Sequence, residues 1–257
     1  MAGRTFVIGD IHGELDHLRK LVAKLPLLDA NDTLVFLGDY VDRGPQSEEV
    51  VRVVRAFSRD LGCKVVTLRG NHEDAWLRVI ERGWVEFVFP PGNGCLATMR
   101  SYVGGPRVTE DEMPKDHEVI ALHSGSFFPE DVVAWMRELP WWYEDEHAIY
   151  VHAGLLHRDG AYLHPKDTEP RAALIWTRTE AFFRDYRGKR VVVGHTHTGT
   201  LPPELDKLTP HDPEDVWAGE CVVAIDTGCG NGGFLTALEL PSLTIYESRP
   251  APDEVTE

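Results

Sequence analysis

Three short apolar runs, each closing on glycine and a polar residue, restrict the first third of the chain more than any other feature. They are "TFVIGD" (Thr5–Asp10), "TLVFLGD" (Thr33–Asp39) and "KVVTLRGN" (Lys64–Asn71). Each is too short for a helix and reads as a buried strand. Between the first two, Leu15, Leu18, Leu21, Val22 and Leu25 recur at helical spacing, and Pro26 ends that helix. Between the second and third, Val50, Val53, Val54 and Phe57 do the same. The resulting β-α-β-α-β order is best satisfied by a mainly parallel sheet with helical crossovers, so the fold class is α/β.

The polar ends of these strands carry the chemistry. Asp10 and His12 follow the first strand, Asp39 the second, and Asn71 with His72 the third. In a parallel sheet the carboxyl ends share one edge, where ligands of open α/β folds sit. Two later runs repeat the design: "AIYVHAG" (Ala148–Gly154) ends at His152, and "RVVVGHT" (Arg190–Thr196) ends at His195. Carboxylate, amide and imidazole donors without a thiolate suit Mn, Fe, Zn or a similar ion better than a structural zinc site.

The remaining chain is read more coarsely. Residues 84–118 are rich in Gly, Pro and aromatics and are expected to form a cap or insertion. A helix is expected near Pro129–Glu138. "CVVAIDTG" and "GFLTALELPSLTIYES" read as paired strands with a Gly-rich turn between them. No repeat or linker divides the chain, so one domain over 1–248 and a flexible acidic tail over 249–257 are expected.

The formal net charge of -16 opposes long-range attraction to nucleic acid or anionic membranes, although bound metals can reverse that sign locally. The four cysteines form no C-x-x-C pair, which points to a reducing cytoplasm. Only Met-Ala-Gly-Arg precedes the first strand, and no apolar run approaches the roughly 18 residues of a membrane span. A soluble cytoplasmic protein is the expectation, with no nucleic-acid or membrane partner.

"GDIHG", "GDYVDRG" and "GNHE" resemble the three signature motifs of the phosphoprotein phosphatase (PPP) family of metallophosphoesterases. The resemblance continues through "VHAGL", "LIWTR", "VVGHTHT" and "IDTGCGNGGFLTALEL", covering roughly Arg4 to Glu247. It is strongest toward bacterial members: serine/threonine phosphatases, lambda-phosphatase-like enzymes and dinucleoside tetraphosphatases. It implies the metallophosphoesterase fold, a central β-sandwich of mixed sheets flanked by helices. It further implies two divalent ions, Mn first, with Fe, Zn, Ni or Co as substitutes.

By the same resemblance Asp10 and His12 hold the first ion, Asp39 bridges both, and Asn71, His152 and His195 complete the second site. Two such ions polarise a phosphoryl oxygen and activate a bridging water for in-line attack. His72 is implied as the general acid, oriented by Asp42. Arg43 and Arg178, with Asn71, are implied to grip the phosphate oxygens.

Several residues have plainer readings. His197 is either a partner of a ligand or a bystander, Asp226 is structural or a partner of a ligand, and Cys229 is a packed small side chain. Trp135, Trp141, Trp142 and Tyr143 are core or cap packing rather than a base-stacking platform, and Glu144, Asp145 and Glu146 are a solvated turn. The function expected is a serine/threonine phosphoprotein phosphatase, with tyrosine as a further substrate. The alternative is a hydrolase of diadenosine tetraphosphate and related dinucleoside polyphosphates. Asp42 leans toward the phosphatases, since symmetrical dinucleoside tetraphosphatases often carry alanine there. A silent phosphate-binding protein would have lost a ligand or the acid, and no basic stripe supports a nuclease.

Overall fold

The computed structural model describes residues 3–109 and 112–250. The chain opens with β1 (Thr5–Ile8), α1 (Leu15–Lys24), β2 (Thr33–Phe36), α2 (Ser47–Asp60), β3 (Lys64–Thr67) and α3 (Asn71–Arg82). A helical segment follows: α4 (Cys95–Val103), α5 (Asp116–Ser124) and α6 (Glu130–Glu138). The second half contains β4 (Trp142–Glu144), β5 (Ile149–Val151), a small hairpin of β6 (His157–Arg158) and β7 (Ala161–Tyr162), and the short helices α7 (Ala173–Trp176) and α8 (Glu180–Asp185). It ends with β8 (Val191–Val193), β9 (Trp217–Ala218), β10 (Val222–Ala224), β11 (Thr236–Leu240) and β12 (Thr244–Glu247).

Two mixed sheets of five strands each result. The first has the order β12-β11-β1-β2-β3, and the second β4-β5-β8-β10-β9. β1, β2 and β3 pair in parallel, with Val7 opposite Val35 and Val35 opposite Val66. β5, β8 and β10 are likewise parallel.

Alternation along the strands builds the layers. Phe6 and Ile8 face a core shared with Leu15, Leu18 and Leu21 of α1 and Val50 and Val54 of α2. Val7 faces the other way, into a core with Tyr150, Val192 and Val223 from the second sheet. Val191 and Val193 point outward again, against Phe182 and Phe183 of α8. The architecture is a β-sandwich with helices on both outer faces, as the resemblance implies. No helix among the described residues is long and apolar enough to cross a membrane.

One expectation is corrected. The strands in "CVVAIDTG" and "GFLTALELPSLTIYES" do not pair across the Gly-rich turn: β10 lies in the second sheet, while β11 lies in the first, between β12 and β1. Of these three strands, β11 and β12 pair as a hairpin. The turn between β10 and β11 therefore crosses the sandwich, a distinction that local sequence pattern does not carry. Within the segment expected as a tail, Arg249 is tied down by Asp212 and Glu247 and lies over the Phe234 ring at 4.0 Å. Residues 251–257 of that segment lie outside the described residues.

Candidate metal centre

The carboxyl ends of β1, β2, β3, β5 and β8 meet at one place, where both sheets deliver polar side chains. The turns after these strands are tight, and glycine is what allows their approach. A Cβ on Gly70 would fall 2.1 Å from Asp39 Oδ1, and one on Gly194 would fall 2.0 Å from Asp10 Oδ1. The glycines before Asp10, Asp39, Asn71 and His195 are thus a packing requirement. Among the described residues, seven non-glycine residues have positive φ, and five of them are His12, Asp39, Asp42, Arg43 and His195. Such conformations concentrate where a structure must aim side chains.

Asp39 lies at the centre. Its Oδ2 is 3.5 Å from His12 Nε2, 3.5 Å from His152 Nε2 and 3.9 Å from His72 Nε2. Two groups of closely spaced donors share it: His12, Asp39 and His72, and Asp39, His152 and His195. Asp10 stands beside them, its Oδ2 accepting from the His195 backbone N–H at 3.0 Å.

The imidazoles are oriented by the backbone. His12 donates from Nδ1 to the Val41 carbonyl at 2.9 Å, and His152 donates from Nδ1 to the Leu37 carbonyl at 3.0 Å. Each neutral ring then presents the Nε2 lone pair inward, the usual disposition of a metal-binding histidine. Burial lowers the pKa of both rings, and burial with the nearby His152 and Arg178 takes His195 down to about 2.

The side chains fit a pair of cations. Asp10 Oδ1, His12 Nε2 and His195 Nε2 are buried with no hydrogen-bond partner. Asn71 Oδ1 lies 2.9 Å from the lone-pair nitrogen of His152, so two electron-pair donors face one another. Unpaired buried polar atoms are costly, and three or more converging acceptors are what a divalent ion satisfies. Burial, then Asp226 and Asp39, push the Asp10 carboxyl well up, which a cation would reverse. Burial alone would also raise Asp39, but His152, His72 and His12 outweigh it and hold that carboxyl low.

His72 sits at the start of α3 and donates from Nδ1 to Asp42 Oδ2 at 2.7 Å, both side chains being buried. Burial alone would lower its pKa, but Asp39 and then the Asp42 hydrogen bond outweigh it and raise it. Arg43 and Arg178 line the open cleft above this floor together with Asn71, His72 and His195, and the cleft has a volume of about 310 Å³. Arg178 Nη2 lies 3.4 Å from His195 Nδ1.

Three contributions were not visible in the sequence. Glu73 is wholly buried and accepts from the N–H groups of Asp39, Tyr40 and Gly70 at 3.0, 2.8 and 3.1 Å, binding the Asp39 turn to α3. Burial, then Asp39, raise its carboxyl to about 7. Trp76 donates its indole N–H to Asp42. Trp84 and Trp176 line one side of the cleft, with ring centroids 5.8 Å apart. Trp176 is pinned by Asp74 at 3.1 Å, and the Arg78 guanidinium lies over both indoles.

His197 faces Glu214 at 3.5 Å, and Asp226 accepts from the Gly228 N–H at 3.1 Å. Cys229 is buried, with its thiol 3.4 Å from the Ile11 carbonyl. Trp135 packs against Tyr40, Trp141 lies under Arg69, and Tyr143 stacks on Tyr150. Trp142 meets His164 edge-on, and none of these rings lines the cleft. In the Glu144–Glu146 turn, Glu144 pairs with Lys189 and His164, and Asp145 accepts from Thr5 and Tyr150.

Residues 3–199 match the model of a family described as calcineurin-like phosphoesterase. A curated relative from Dechloromonas aromatica, named a symmetrical bis(5'-nucleosyl)-tetraphosphatase, is 28% identical over 152 residues, 59% of this chain and 44% of its own length. One of the same name from Yersinia enterocolitica is 45% identical over 69 residues, 27% of this chain and 22% of its own length. The chain thus spans less than half the length of these curated relatives. Among solved structures, a cold-active protein-tyrosine phosphatase of a psychrophilic Shewanella superposes with a TM-score of 0.55 at 18% identity, covering 97% of this chain and 81% of its own. That likeness concerns the fold.

Proposed function

The chain belongs to the calcineurin-like phosphoesterase family, and we propose that it hydrolyses phosphate monoesters, phosphoserine and phosphothreonine of proteins first among them. In this reading Asp10, His12, Asp39, Asn71, His152 and His195 hold two divalent ions, Mn being the first choice for such donors. When bound, the ions supply Lewis acidity toward a phosphoryl oxygen and an activated water for in-line attack. Arg43 and Arg178 bind the remaining phosphoryl oxygens through their planar guanidinium groups. His72 gives its Nε2 proton to the leaving alkoxide while Asp42 holds the opposite nitrogen.

The observation that carries the proposal is the buried 2.7 Å bond between His72 Nδ1 and Asp42 Oδ2. An alkoxide is a strong base and leaves poorly without a proton. The phosphate leaving group of a polyphosphate is a far weaker base and needs that help much less. An intact, buried acid dyad is therefore best used on an alkyl ester.

Dinucleoside polyphosphates are the second reading. It is favoured by the indoles of Trp84 and Trp176, aromatic side chains at the cleft of the kind that bind a base, and by the names of the curated relatives. Specific activities of the Mn-loaded protein on a phosphoserine peptide and on diadenosine tetraphosphate decide between them. The peptide should show the higher kcat/KM. A dinucleotide preference of more than about tenfold, roughly 1.4 kcal/mol, would promote the second reading.

A further inference from the structure

Arg43 lines two clefts, not one. Besides the cleft over His72 it borders a larger one of about 680 Å³, walled by the segment before α4, by the chain leading to α5 and by the Gly230–Gly232 turn. Its apolar side chains are chiefly Val88, Phe89, Pro90, Leu96, Val108 and Leu122, set among the polar groups of Arg43, Glu112 and Asn231. Two of the polar groups at its edge are already engaged. Glu112 is held by Arg100 Nη2 at 2.6 Å and by the Thr109 N–H at 3.1 Å. Asn231, with its amide oxygen turned to Arg43, accepts from Nη1 at 3.1 Å.

The same region concentrates exposed apolar surface. Of the five large hydrophobic residues exposed among the described residues, Phe89 lines the cleft, and Val103, Met113 and Ile120 lie on the same stretch of chain between residues 89 and 120.

We infer that this cleft is a peptide subsite, which takes an apolar side chain next to the phosphorylated residue. The inference rests on the phosphoester reading above. A phosphorylated side chain directed at His72 leaves its backbone outside, and the neighbouring residue meets the other surface that Arg43 borders. Apolar side chains around a single phenyl ring, with Glu112 and Asn231 already engaged and no second aromatic ring to sandwich a base, suit Leu, Ile, Val or Phe better than a nucleobase. The indoles that could stack on a base lie in the cleft over His72 instead.

Gly92 provides the test. It lines the larger cleft, a Cβ there meets nothing within 4 Å, and its backbone lies outside the left-handed region. Gly92→Trp should fill the space without displacing Arg43 or His72. The substrates are p-nitrophenyl phosphate, phosphoserine peptides with Leu on either side of the phosphoserine, the matching peptides with Gly, and diadenosine tetraphosphate.

The unsubstituted protein should prefer a Leu peptide over its Gly counterpart by roughly 10- to 100-fold in kcat/KM, the factor that burial of one large apolar side chain supplies. Gly92→Trp should erase most of that preference through KM and leave p-nitrophenyl phosphate unchanged. Equal rates on Leu and Gly peptides, or a preference that survives Gly92→Trp, would overturn the inference. So would selective loss of diadenosine tetraphosphate turnover, which would make the occupant a nucleoside. Fluorescence anisotropy of the labelled peptides reads the cleft independently of turnover. Leu-selective binding that Gly92→Trp abolishes, in a protein that turns over none of the substrates, would sink the phosphoesterase reading and keep the subsite; Leu-independent binding would sink the subsite alone.

Discussion

The indole N–H of Trp76 is shared between both carboxylate oxygens of Asp42, at 3.0 and 3.1 Å, while His72 holds one of them at 2.7 Å. Trp76 is fully buried, so the carboxylate is fixed from behind as well as from the side of the imidazole. Trp76→Phe keeps the packing and removes the donor. Loss of a hydrogen bond to a charged group is worth about 1.5–3 kcal/mol. We expect kcat on an alkyl phosphate to fall roughly tenfold with KM little changed. The fall should be much smaller on p-nitrophenyl phosphate, whose leaving group needs little protonation. His72→Asn should follow the same pattern with a loss of roughly 10²–10⁴ on the alkyl ester. Equal losses on both esters would assign these residues to integrity of the floor rather than to proton delivery.

Asp39 is the acceptor common to both donor groups. Elemental analysis of the Mn-loaded protein should therefore find two ions per chain. Asp39→Asn should lower occupancy at both sites, and His195→Ala at one. Ions that bind the folded state raise its stability by mass action, so chelation should abolish turnover and lower Tm together. Full turnover after exhaustive chelation would remove the two-ion scheme.

The two indoles of the cleft should separate substrates. Trp84→Ala deletes a half-buried ring that stacks on Phe87 and faces Trp176. If a base rests there, kcat/KM on diadenosine tetraphosphate should fall by roughly 5- to 100-fold, the range of one base–aromatic stack of about 1–3 kcal/mol. Phosphoserine peptide turnover should change less than threefold. A larger effect on the peptide would place the peptide, not a nucleoside, against this wall.

A further prediction concerns acid stability and touches no substrate. Asp32 accepts from the Arg4 side chain at 2.7 and 3.1 Å and from the Asp29 N–H at 2.9 Å, joining the start of β1 to the turn before β2. Burial alone would raise its carboxyl, but Arg4 and these N–H groups overcome that and hold it below the ordinary range. A depressed folded-state pKa gives stability that is present above the unfolded value, about 3.9, and is lost as pH falls through the folded value. Asp32→Asn should therefore lower the unfolding free energy at pH 7 and flatten its decline below about pH 4. Urea titrations at pH 7, 4 and 3 read both effects; parallel pH curves for the two proteins would contradict the assignment.

The donors of the floor were legible because they stand at the ends of apolar runs, beside glycine, a pattern that sheet geometry converts into proximity. Asp10, Asp39, Asn71 and His195 follow a glycine directly, His12 comes two residues after Asp10, and His152 closes its strand two residues before Gly154. Glu73 was legible only as a letter of "GNHE": its work is to accept backbone N–H groups from a turn 34 residues earlier, which no local pattern encodes. Trp84 and Trp176 escaped for the opposite reason. Each looks like any core aromatic, and only the path of the chain after α3 brings them to the same cleft. The separation of β10 from β11 was hidden because an apolar run followed by a Gly-rich turn reads the same whether the next strand is a neighbour or lies across the sandwich.

The bond between the His195 N–H and Asp10 spans 185 residues. β8, which delivers His195, is flanked by β10, and β1, which delivers Asp10, lies between β2 and β11. During synthesis from the amino end, the first motif thus emerges long before its partners. The donors that meet at the floor therefore extend from Asp10 to His195, and no shorter stretch of the chain carries them all.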